Sequence, residues 1–150
     1  MTQDLSAAAI ATVKATVPAL RIHGQAITEA MYERLFADPE IRALFNPERM
    51  GPNGSMPRAL AAAVVAYAEN VDNLPALSDA VDMIAARHVM AGVQAWHYDA
   101  VAQALMGALR QVLGEAATPA IPEAWAQAYS RLAVVLQARE AELRAMAKAA

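Results

Sequence analysis

At 150 residues, 57% of them hydrophobic, the chain has the length of one domain able to bury a substantial core. A net charge of -3, with acids and bases interspersed, excludes the clustered basic face that nucleic acid requires. The absence of cysteine excludes disulfides, thiolate catalysis and cysteine-based zinc or iron–sulfur sites.

Abundant Ala, Leu and Val with few aromatics favour helices over strands, so an all-α fold is expected. The start, Met1 to Lys14, lacks a basic n-region and a clean apolar core, so no signal peptide is expected. A first helix runs from about Ser6, the expected N-cap, through Ile10, Val13 and Val17, and falters around Pro18. A second is expected after Gly24, with Ile27, Met31 and Leu35 at i, i+4 and i+8, ending at Asp38 and Pro39. A short helical turn then carries Ile41 to Phe45. The stretch from Asn46 to Gly54, dense in turn formers, is the clearest loop.

Ser55 and Pro57 open a long helix through Leu60, Val64 and Tyr67 to about Val71, because proline is tolerated in a first turn. The run from Ala59 to Ala68, apolar and nearly uncharged, is about half the ~20 residues of a membrane span, so a soluble cytoplasmic protein is expected. The next helix puts Leu77, Val81, Ile84, Ala85 and His88 on one face and stops at Gly92. From Tyr98 a stripe follows through Val101, Leu105, Leu109 and Val112. Beyond Gly114, Pro119 and Pro122, a last helix presents Trp125, Tyr129, Leu132, Leu136 and Leu143 inwards. No repeat, second domain or dinucleotide-binding glycine motif interrupts this pattern.

Of three histidines, His23 sits beside Arg21 and Gly24 and is expected in solvent, while His97 follows Trp96 at a helix start and either caps it or points outward. His88 differs, lying on an apolar face four residues after Ile84 and seven after Val81. It is either a hydrogen-bonded core residue or a metal ligand. Two further polar groups bear on that choice: Tyr98, ten residues on, and Glu140, on the inner face of the last helix. An unpaired carboxylate there would be costly. A ligating histidine needs an acceptor for its other ring nitrogen, so one network of His88, Tyr98 and Glu140 would satisfy all three. A solvated Glu140 at a fraying helix end is the other reading. No hydrolase, zincin or phosphate-loop motif competes, which by elimination leaves the chemistry to a bound cofactor.

Several blocks together resemble bacterial haemoglobins: residues 10–18, Met31-Tyr32-Glu33-Arg34-Leu35-Phe36, Leu44-Phe45-Asn46, residues 70–76, Ile84-Ala85-Ala86-Arg87-His88, and the closing residues 124–129 and 139–142. The family is that of single-domain bacterial haemoglobins and the globin domain of flavohaemoglobins, and the resemblance spans roughly Leu5 to Glu142. It implies a single globin domain over residues 1–150, without a flavin or nicotinamide reductase domain, folded around a haem b (iron protoporphyrin IX). It also implies that His88 is the proximal iron ligand, with Tyr98 and Glu140 as its hydrogen-bond partners. Tyr32 matches the distal tyrosine that donates to bound oxygen, a core tyrosine being the alternative. Phe45 matches the aromatic that wedges the haem, Leu60 the apolar residue above the iron, and Arg87 a basic residue near a propionate.

One position departs from the family. Met56, before Pro57, stands where glutamine is usual, and a thioether cannot donate a hydrogen bond. Plain packing or gating of the pocket is the expectation, with ligation of iron in the ligand-free state as the bolder option and an outward orientation as what the pre-proline bias against helical backbone would allow. The resemblance implies oxygen binding at ferrous iron with nitric oxide dioxygenase chemistry, given a separate reductase. Oxygen storage or delivery without turnover is the alternative. The expected partners are O2, NO and CO, with a homodimer as a further assembly, and neither nucleic acid nor a membrane span.

Overall fold

The computed structural model describes residues 5–45 and 55–149. Among the described residues every regular element is helical: α1 (Ala7–Ala15), α2 (Val17–Leu35), α3 (Pro39–Arg42), α4 (Ser55–Glu69), α5 (Ser78–Ala91), α6 (Ala95–Leu113) and α7 (Ala120–Ala149), with short 3-10 turns at Leu74–Leu77 and Gly114–Ala116. No described helix is long and apolar enough to cross a membrane. The loop read at Asn46 to Gly54 lies outside the described residues.

Ser6 caps α1 as expected, its side chain accepting from the Ala9 amide. The first boundary needs correcting. Pro18 does not close a helix that resumes after Gly24; it occupies the first turn of α2, where a missing N–H costs nothing. The corner falls at Thr16, whose hydroxyl donates to the Val13 carbonyl and accepts from Trp125 Nε1 on α7. Gly24 is buried in mid-helix, where a Cβ would come within 3.5 Å of the Ala61 Cβ on α4. It lets two helices approach rather than starting one.

Gly92 ends α5 in the left-handed conformation (φ +81°), and the amides of Gly92 and Val93 both return to the His88 carbonyl. Nothing surrounds its would-be Cβ, so backbone strain alone decides a substitution there. Gly92→Ala should cost about 1–2 kcal/mol of stability, read by chemical denaturation. An unchanged midpoint would show that the corner relaxes freely.

Helix α2 packs on both α4 and α6, while α7 packs on α1, α5 and α6. The core divides in two. The larger cluster joins α1, α2, α4, α6 and α7 around Val13, Ile27, Tyr32 and Leu109, and the smaller gathers Val81, Ala85, Tyr98, Ala133 and Leu136 beneath α5. Half-buried Leu77, Tyr129 and Leu132 are common to both, and α4 and α5 share no substantial packing.

Candidate functional site

Three helices converge on one polar cluster beside the smaller apolar group. His88 comes from the last turn of α5, Tyr98 from the first turn of α6 and Glu140 from α7. His88 Nδ1 lies 3.0 Å from Glu140 Oε2 and 3.1 Å from Tyr98 Oη, and the Tyr98 hydroxyl donates to the same carboxylate oxygen. Glu140 is 1% exposed, which settles the alternatives: it is no fraying surface residue but a buried acceptor with two partners.

The proton inventory fixes which ring nitrogen donates. Burial first, and the Glu140 carboxylate second, hold the Tyr98 phenol well above its ordinary pKa, so it keeps its proton and donates it to Glu140. Tyr98 Oη therefore has only lone pairs to offer His88, and Nδ1 must be the donor. Nε2 is left over, with no partner among the described residues. The His88 side chain is 32% exposed, so this nitrogen is open to a ligand from outside the protein.

The cluster is braced from α7. Tyr129, eleven residues before Glu140 and so three turns away on the same face, donates to the Tyr98 carbonyl at 2.9 Å. Burial raises the Tyr129 phenol well above its usual range, so it remains a donor. One helix thus grips Tyr98 at backbone and phenol. Arg139 pairs with Asp82 at 2.9 Å and Arg144 donates to the Val93 carbonyl, which hold α5 and the α5–α6 corner against α7. Sequence reading put Tyr129 on the inner face but assigned it no partner. A tyrosine facing inwards does signal a hidden acceptor.

The other expected residues gather in the larger cluster. Tyr32, buried on α2, packs with Phe36 and Phe45 in an aromatic triangle with centroids 5.3–5.7 Å apart. Leu60 is half-buried on α4 against the same cluster. Met56 requires a correction: it lies inside α4 and is half-buried, not turned out of the helix by Pro57. The first-turn amides of a helix have no intrahelical acceptors, so Pro57 sits there without breaking it. Met56 is one turn before Leu60 and shares its side of α4. Arg87 joins neither group and is exposed on α5 beside His88. His23 is exposed as expected. His97 is not outward: it is 8% exposed and its Nδ1 accepts from the Gln94 amide at 2.8 Å, which spends it as a cap for α6.

These residues fit a haem of the kind the resemblance implies. The fit rests on an imidazole whose Nδ1 is held by Glu140 and Tyr98 and whose Nε2 has no described partner, on a helix that does not pack against α4. Half-buried apolar side chains such as Leu60, Val64 and Ile84 lie on the two helices concerned.

The Globin family model matches residues 18–136. A flavohemoprotein of Xylella fastidiosa is 46% identical over 144 residues, covering 96% of this chain and 36% of its own. The chain thus spans about a third of the length of the curated relatives it matches. An engineered carbene transferase built on a candidate nitric oxide dioxygenase from Rhodothermus marinus superposes with a TM-score of 0.89 at 41% identity, over 97% of this chain and 99% of that one. A flavohemoglobin from Malassezia yamatoensis, solved with bound FAD and heme, gives 0.85 at 31% identity, over 95% of this chain and 38% of that one.

Proposed function

The chain belongs to the globin family, and on that premise we propose that it is a b-type haem globin that binds oxygen and, supplied with electrons by a reductase, oxidises nitric oxide to nitrate. The observation that carries this reading is the leftover Nε2 of His88, with Nδ1–H held by Glu140 and Tyr98. A haem would supply a gas-binding, redox-active iron; everything else is the work of this chain's residues.

His88 is the residue that holds the iron. Glu140 accepts its Nδ1 proton and Tyr98 orients the ring, and the carboxylate makes the imidazole a stronger electron donor. A strongly donating His88 would favour oxygen activation over plain storage. Tyr32 would donate to a bound polar gas, Phe45 would pack against the haem, and Leu60 and Met56 would keep the gas pocket apolar. Arg87, exposed beside His88, answers a propionate charge. Without cysteine no thioether attachment is available, so the haem is held non-covalently. O2, NO and CO are the ligands of this site, and the cytoplasm is its compartment.

Nitric oxide consumption with an added reductase and NADH tests the enzymatic part. Catalytic turnover with nitrate as product supports it, whereas reversible oxygen binding without turnover makes the protein an oxygen store.

Glu140→Gln tests the proximal trio. The amide keeps the shape but removes the negative charge, so ferric iron is stabilised less and the reduction potential rises by tens of millivolts, on a scale where about 59 mV is tenfold for one electron. Spectroelectrochemistry reads it. An unchanged or lower potential means that Glu140 does not act through His88.

A further inference from the structure

Thr28 is 2% exposed on α2, and its hydroxyl lies 3.0 Å from the Gln25 carbonyl and 2.9 Å from the Pro57 carbonyl. The first contact is the usual return of a helical threonine to its preceding turn. The second crosses between helices to the first turn of α4. One hydroxyl proton serves both carbonyls, and the shorter contact is the interhelical one.

The two helices meet in a defined register. Gly24 lies against Ala61, and one turn further along α2 Thr28 lies against Pro57. The next turn of α2 on that side brings Tyr32. On α4, Met56 immediately precedes Pro57 and Leu60 follows it by three residues, within one turn. The Thr28–Pro57 bond therefore lies one turn from Tyr32 on α2, and next to Met56 and within one turn of Leu60 on α4. It does not depend on the side chain at position 57, because the acceptor is backbone. Inside α4 the Pro57 carbonyl also accepts from its own helix, so the Thr28 hydroxyl is a second donor that ties the first turn of α4 to α2.

We propose that Thr28 is a positioning residue: its hydroxyl sets the distance between Tyr32 and the wall made by Met56 and Leu60, and thereby tunes how firmly Tyr32 holds a gaseous ligand. This inference rests on the haem-globin reading above.

The test compares the parent with Thr28→Val, which keeps the shape and removes the hydroxyl, and Thr28→Ser, which keeps the hydroxyl. The CO stretching band is recorded by infrared spectroscopy and oxygen release by stopped flow, with thermal unfolding alongside. Thr28→Val should shift or split the CO band and speed oxygen release by about 3- to 10-fold, and Thr28→Ser should restore the parent values. If Thr28→Val does not fold, Thr28→Ala against Thr28→Ser carries the same contrast. A lowered melting temperature with parental CO band and oxygen release makes Thr28 merely structural and overturns the proposal. So does a Ser variant that behaves like the Val variant, since the methyl group would then be the determinant. A parent that takes up haem and CO while Thr28→Val matches it overturns this inference alone; a parent that takes up no haem overturns the reading beneath it as well.

Discussion

His88→Ala is expected to purify with little haem, or with a weakly held haem whose spectrum no longer shows histidine ligation. No other imidazole is placed to replace it. His23 is exposed on α2, and His97 Nδ1 is committed to the Gln94 amide. Losing a group that only hydrogen-bonds a metal ligand typically costs about 10- to 100-fold in affinity, and losing the ligand itself should exceed that. The substitution leaves Glu140 with its Tyr98 partner, so the carboxylate is not stranded and the variant should fold. His97→Ala is the control: it removes a helix cap worth about 1 kcal/mol but should leave the spectrum unchanged. Haem stoichiometry and absorption spectra of the two variants check this. If His88→Ala keeps a normal histidine-ligated spectrum while His97→Ala loses it, the assignment of the ligand is wrong.

Tyr32→Phe should weaken oxygen binding by roughly 10- to 100-fold, mostly through faster release, while CO affinity shifts far less. The size follows from a hydrogen bond to a charge-bearing acceptor, about 1.5–3 kcal/mol, where 1.4 kcal/mol is tenfold. Oxygen gathers negative charge on binding whereas CO stays nearly neutral, so a phenol donor discriminates between them. The ring itself is fixed by Phe36 and Phe45, which the substitution leaves in contact. With methionine at position 56 that residue supplies no donor, so this effect should exceed that of Met56→Gln, which adds a donor and keeps Tyr32. Stopped-flow oxygen release from the three proteins decides. Parental release from Tyr32→Phe would make Tyr32 a core residue and remove the distal part of the account, leaving the globin fold untouched.

The contact of His88, Tyr98 and Glu140 is legible in the sequence because burial constrains polar groups so strongly. His88 falls on an apolar helical face by spacing, and a carboxylate on the inner face of the last helix demands a partner. Periodicity could not say whether Glu140 lay within the packed length of α7 or at a frayed end; packing against α5 and α6 decided it. Local signals failed where one residue carries two meanings. Pro18 reads equally as a stop and as a first-turn residue, and which applies depends on Thr16 being tied to Trp125, more than a hundred positions away. Gly24 reads as a break, yet its use is the close approach of Ala61. Pro57 biases Met56 away from helix, but the first turn absorbs it. Contacts to backbone carbonyls, such as Tyr129 to Tyr98 and Thr28 to Pro57, leave no trace in the identity of the accepting residue, so an inward hydroxyl signals that an acceptor exists without saying which.

Absorption spectra of the purified protein in ferric, ferrous and CO-bound forms test the central claim most directly. The protein should be red, with an acid-extractable, non-covalent haem, a histidine-ligated ferrous form, and a reversible CO complex. A colourless protein that takes up no added haem, or one whose ferrous spectrum shows an axial ligand other than histidine, would contradict it.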